Sequence, residues 1–230
     1  MFRPLKKPLK PSEVKKRRMQ SRLQGLQPSE EVLKQYVRSD LDYNVEFMKN
    51  LFAETSDFVV RHFHFGSNRE IRVALVFIDG LVDSKSISES VFKPFIMRTL
   101  ENGDPELLPQ NPYDLILNWL VTFYSVKEEV EMGKLLDLVL AGFAILFVDG
   151  SEKALAIEVK GWEKRSVDEP KAESFVRGPR DGFTETIRTN TALLRRRIRT
   201  PNLRFDMLQI GKVTKTDICV AYIEGIVNPA

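Results

Sequence analysis

Val76-Phe77-Ile78-Asp79-Gly80-Leu81-Val82-Asp83 has a counterpart near the end of the chain, Ala221-Tyr222-Ile223-Glu224-Gly225-Ile226-Val227-Asn228. The two stretches lie 145 positions apart and superpose without a gap. The same shift places Gly66 on Gly211, Val73 on Ile218 and Phe77 on Tyr222. Apolar strands resemble one another cheaply, but here strand phase, turn glycine and terminal acid-Gly all agree. Phase matters because a slip of one residue turns every side chain to the other face. The sequence therefore reads as two copies of a helix–strand–strand–helix unit. That predicts an α/β protein of two related subdomains, each a small mixed sheet with flanking helices.

Working outward from the first copy, a helix is expected from Ser29. Glu30 and Glu31 fill its first turn, and Leu33, Tyr36, Val37, Leu41, Val45, Met48 and Leu51 follow at helical spacing. Strands follow at 57–65 and 70–78, with a turn at 66–69. Helices are expected at 84–100, 113–124 and 128–140. A hairpin comes next, from strands 143–148 and 154–159 around Asp149-Gly150-Ser151-Glu152. Strands at 203–209 and 218–223 complete the second copy. The subdomains are placed at 28–142 and 143–230, after a flexible basic arm at 1–27. The helix that follows Val82 has no counterpart in the second copy, so that copy is expected to be truncated and the chain to be a fragment of something longer.

Composition narrows the class. Among 230 residues, 43% are hydrophobic and 10% aromatic, enough for real cores. The net charge of +3 hides an asymmetry: residues 1–22 hold nine Lys or Arg against Glu13, and the remainder holds 26 basic against 31 acidic residues. The folded part is thus mildly acidic, which argues against nucleic acid as a partner. The arm suits attraction to an anionic lipid surface. A single cysteine, Cys219, excludes an internal disulfide and points to a reducing compartment. The longest uncharged stretches, 115–126 and 138–148, are shorter than the ~18 residues of a spanning helix.

No catalytic constellation stands out. Asp149 with Glu158-Val159-Lys160 resembles a nuclease hairpin. Yet the two carboxylates sit about 16 Å apart along the strand at ~3.3 Å per residue. They cannot share one Mg²⁺. His62 and His64 share a strand face without a third ligand in view. Phosphate-loop and Gly-x-Ser-x-Gly motifs are missing. Neither an enzyme nor a metal or other cofactor is expected.

The copies differ most at Val176-Arg177-Gly178-Pro179-Arg180-Asp181-Gly182-Phe183, where a loop replaces the first turns of the equivalent helix. Asp181 is placed to cap what remains. Phe183, Ile187, Thr191, Leu194 and Ile198 form the expected buried stripe, with Arg188, Arg195 and Arg199 on the adjacent face. Arg177, Arg180 and the downstream arginines have two main uses open to them. They can pair with acids of the other subdomain or of a neighbouring subunit, or they can hold a small anion.

Arg177-Gly178-Pro179-Arg180-Asp181-Gly182-Phe183, followed by Arg188-Thr189-Asn190-Thr191-Ala192-Leu193-Leu194-Arg195-Arg196-Arg197-Ile198-Arg199, resembles the signature of the GerA family, the A subunits of spore germinant receptors. Phe147-Val148-Asp149-Gly150-Ser151 is similar to that family's hairpin. The resemblance covers about residues 25–230; Thr186-Ile187 departs mildly from it. It implies the N-terminal cytosolic domain of a subunit that sits in the spore inner membrane with B and C subunits and with further A subunits. It also implies a role in nutrient-triggered germination, receptor assembly and ion release. An amino-acid or sugar germinant is an implied ligand, in the alternative that the cleft between subdomains binds it. Arg177, Arg180, Asp181, Arg188, Asn190, Arg195 and Arg199 are the residues expected to make the ligand or interface contact.

Overall fold

The computed structural model describes residues 28–65, 71–87, 111–122, 124–161 and 182–227. Two sheets organise it. Five strands lie in the order β1-β2-β4-β5-β3: β1 (Phe58–Phe65), β2 (Ile71–Ile78), β3 (Val126–Glu129), β4 (Ala144–Val148) and β5 (Ala154–Ile157). A two-stranded ribbon, β6 (Leu203–Ile210) with β7 (Thr216–Ile223), makes the second. Among the described residues every strand pairing is antiparallel, so these sheets are not mixed in strand direction.

β2, β4 and β5 are apolar at nearly every position because both sheet faces are covered. On one face, α2 (Leu41–Phe52) and α5 (Met132–Leu140) press Met48, Phe52, Leu135 and Val139 onto Val76, Ile145 and Phe147. On the other, α4 (Pro112–Leu120) presses Tyr113, Ile116 and Leu120 onto Leu75, Leu146 and Ile157. A core of two such layers is the main stabilising term at ~25 cal/mol per Å² of apolar surface buried.

β4 and β5 pair with β2 and β3. A boundary at 142/143 would cut this sheet, so the strands at 144–157 belong with the first unit. Hydrophobic spacing does not show the pairing, because β2 and β4 are far apart in sequence.

The helix expected over 29–51 is two. α1 (Glu30–Leu33) ends at Lys34, and the backbone then runs extended: Val37 N donates to Val130 O at 2.8 Å and Met132 N to Gln35 O at 2.8 Å. Asp40 restarts the helix by accepting from Asp42 N and Tyr43 N. Short polar side chains divert backbone groups this way, and apolar periodicity runs through the break unmarked. Residues 126–129 are strand β3 because they pair with β5, Val126 opposite Ile157 and Glu129 opposite Ala154, and α5 starts only at Met132. The 113–124 helix is observed as α4. The 84–100 segment starts as α3 (Ser84–Ser86), its remainder lying outside the described residues.

The repeat appears in backbone geometry. β1 and β2 shifted by 145 give β6 and β7 end for end, with the same register: Phe58 pairs with Ile78 and Leu203 with Ile223. Asp79 N donates to Asp57 O at 2.8 Å, and Glu224 N to Asn202 O at 2.9 Å. Gly80 and Gly225 both take positive φ, 85° and 82°. Gly66 lies outside the described residues, so its match with Gly211 is not in view.

The helices match at a shift of 146. Asn44 accepts from Arg38 N at 2.9 Å and donates to Arg38 O at 2.6 Å; Asn190 does the same to Thr184, both at 2.7 Å. The second copy is therefore one residue shorter between helix and hairpin. Asn44 is fully buried and Asn190 half-buried. We expect Asn44→Ala to cost about 2 kcal/mol, as a buried amide pairing is lost, and Asn190→Ala distinctly less. Urea unfolding of the two variants measures the difference.

Candidate functional site

The last helix, α6 (Ile187–Arg197), and the start of β6 lie against the ends of α2, β1 and β2. Arg195 is the centre of this junction and is 0% exposed. Its Nε donates to Asp57 Oδ2 at 2.9 Å and its Nη2 to Asp57 Oδ1 at 2.8 Å, a two-pronged pairing that only the planar guanidinium can make. Nη1 donates to Thr200 O at 2.9 Å. The guanidinium also lies 5.1 Å from the centre of the Phe205 ring.

Asp57 is held from its own side. Thr55 Oγ1 donates to Asp57 Oδ1 at 2.8 Å and accepts from Phe205 N at 3.0 Å. Ser56 N and Oγ both donate to Phe205 O, at 3.0 and 2.6 Å. Arg204, also buried, donates to Pro201 O at 2.7 Å and to Phe52 O at the end of α2, where a cation suits the helix dipole. Burial pushes the Arg204 guanidinium's pKa down, and the Glu224 carboxylate partly opposes this. At the rim, Arg188 Nη2 meets Asp79 Oδ1 at 2.5 Å. Beside it, a Cβ on Gly80 would stand 3.0 Å from Ala192 Cβ. Gly80 thus serves the turn and the close approach of α6 together.

Of the residues expected to make a contact, Arg188 and Arg195 meet here. Asn190 is spent on Thr184, inside its own unit. Arg199 is exposed and donates from Nε to Arg196 O at 3.3 Å. Arg177, Arg180 and Asp181 lie outside the described residues. α6 begins after Thr186, so its N-cap is Thr186 and not Asp181. The expected stripe is half-buried at Ile187, Thr191, Leu194 and Ile198, and Phe183 is 70% exposed. The buried positions are Ala192, Leu193 and Arg195, because α6 turns that side towards the first unit.

Sequence reasoning missed Asp57, Thr55, Ser56 and Arg204. Asp57 carried a faint signal, an acid at the mouth of a strand that starts with three apolar residues. Of the other groups weighed for chemistry, Asp149 accepts from Leu41 N at 3.2 Å and from Arg72 Nε at 3.1 Å, and Glu158 pairs with Lys160 at 3.0 Å. Asp149 is thus a bolt between α2 and the sheet. His62 and His64 stand exposed on β1, and among the described residues no His, Cys, Asp and Glu cluster suits a metal.

Removing one partner of a buried pair strands the other charge. We expect Arg195→Met and Asp57→Asn each to lower stability by about 3–5 kcal/mol. The double variant Asp57→Asn with Arg195→Met should cost clearly less than the sum of these two singles. A double-mutant cycle in guanidinium chloride reads the coupling.

Comparison with known proteins agrees with the arginine-helix signature. A family model described as Bacillus/Clostridium GerA spore germination protein matches residues 46–230. The chain is 36% identical over 193 residues to Uncharacterized membrane protein YfkQ of Bacillus subtilis (strain 168), covering 84% of this chain and 36% of that protein. It is 34% identical over 190 residues to Spore germination protein KA of the same organism, covering 83% and 34%. The chain therefore spans about a third of the length of these relatives. Among solved structures, it is similar to the N-terminal domain of the A subunit of the Bacillus megaterium spore germinant receptor GerK3. The TM-score is 0.64 at 32% identity, over 84% of this chain and 68% of that one. No described helix is long and apolar enough to cross a membrane. With the family match extending over most of the folded residues and the fold shared with a receptor A subunit's N-terminal domain, the chain belongs to the GerA family of spore germination proteins.

Proposed function

We propose that this domain is a signalling and assembly module of a germinant receptor, and that the Asp57–Arg195 junction makes its two units move as one body. The carrying observation is the complete burial of Arg195 against the other unit. A hinge meant to open around a ligand would expose this guanidinium to repeated loss of its partner. A fixed junction instead passes a displacement of one unit directly to the other. In the intact receptor the subunit would stand at the spore inner membrane, on the core side, beside B and C subunits and other A subunits. The basic arm at 1–27 would rest on anionic lipid.

Germinant binding between the units is the second reading. Arg195 does not favour it, since all three of its nitrogens already donate within the domain. Among the described residues no buried side-chain nitrogen or oxygen lacks a hydrogen-bond partner. On this reading Arg177 and Arg180 would be among the residues that meet the ligand.

Arg188 and Asp79 give the discriminating test, because their side chains are 53% and 35% exposed and the pair contributes little to folding. We expect Arg188→Glu to fold normally, by circular dichroism and thermal melting, yet to slow nutrient-triggered germination of spores carrying it. Adding Asp79→Arg should restore the rate. Full germination in the single variant would sink the signalling role. Shifts of resonances around residues 176–182 on titrating the domain with L-alanine or glucose would instead favour the ligand-binding reading.

A further inference from the structure

The β6–β7 ribbon leaves apolar side chains in the open. Met207, Leu208 and Ile210 on β6 and Ile218 and Val220 on β7 are all exposed. Only the start of β6, Leu203 to Phe205, is buried, and a two-stranded ribbon is marginal in water where no face is packed. Among the described residues β7 is also an edge, with β6 on one side only. Edges are normally guarded by charge or proline, and Ile218-Cys219-Val220-Ala221-Tyr222-Ile223 has neither.

The first unit shows the same block finished. Val73-Ala74-Leu75-Val76-Phe77-Ile78 are all buried in β2, while their equivalents 218–223 are exposed or half-buried. In β2, residues Val73–Val76 pair with Val148–Ile145 of β4, and helices cover both faces. β7 is apolar at successive positions, as β2 is. That pattern belongs to a strand covered on both sides, since a strand with one wet face alternates.

We propose that β7 is an inner strand in the intact subunit. Residues Ile218–Ala221 receive an antiparallel strand from the same polypeptide, lying beyond Ala230, in the register that β4 adopts on β2. Three observations favour this occupant. β4 follows β2 in one chain, so the first unit completes itself. The relatives are about three times as long as the matched stretch, at 36% and 34% coverage. The solved A-subunit domain has chain outside the match too, at 68% coverage. The inference stands whatever the domain signals.

Hydrogen–deuterium exchange on this 230-residue chain, and on a chain continued through the rest of the subunit's N-terminal domain, tests it. Amides of Ile218–Ala221 should exchange at least ~100-fold more slowly in the longer chain, while Val73–Val76 stay protected in both. Maleimide labelling of Cys219, the single cysteine, should slow in parallel. Equal exchange at β7 in the two chains overturns the proposal. So does β7 protection in the 230-residue chain that grows with concentration alongside a doubled mass, which would give the edge to a second copy.

Discussion

A guanidinium with no access to water must be matched almost completely, and this requirement organises the junction. Arg195 needs two carboxylate oxygens and a carbonyl in one plane, so Asp57 and Thr200 must stand where they do. Asp57 in turn is fixed by Thr55, and Thr55 by Phe205 N. Such a pair adds little net stability compared with a well-packed apolar contact, since two charges lose their water. What it supplies is geometry: other angles between α6 and the mouth of β1 leave a charge stranded. Specificity of packing is thus bought with desolvation.

The duplicated unit is used in two ways. In the first copy the hairpin enters the middle of a sheet, and its helix packs on that sheet through Met48 and Phe52. In the second copy the hairpin keeps the same turn and register. Its helix, one residue nearer the hairpin, buries Ala192, Leu193 and Arg195. The helix that serves its own sheet in one unit therefore serves the junction in the other. Of the arginines in the signature, Arg188 and Arg195 fall where the helix meets its neighbour. Arg188 and Arg195 pair with acids of the first unit, Asp79 and Asp57.

The proposed signalling role would use this junction mechanically. The units are joined by a buried bidentate pair, three contacts to the Phe205 backbone and an arginine on a helix end. In that role, displacement of one unit would be passed directly to the other.

The sequence by itself determined the hairpins, their turn glycines, the repeat and the arginine helix. These rest on local rules: period-two alternation, positive φ at Gly80 and Gly225, and apolar runs bounded by turns. It could not show that the helix breaks between Lys34 and Asp40, because the reason is a rung with residues 130–132 that are remote in sequence. Nor could it assign β4 and β5 to the first unit, since strand pairing is a long-range choice among several apolar runs of equal merit. Which arginine would be buried was equally hidden. Arg188, Arg195 and Arg199 are spaced for one helix face, yet α6 ends at Arg197, and Asp57 and Asp79 give partners to the first two while the third lies at the surface. Burial of a charge is decided by where its counter-charge stands, and that is a property of the tertiary structure alone.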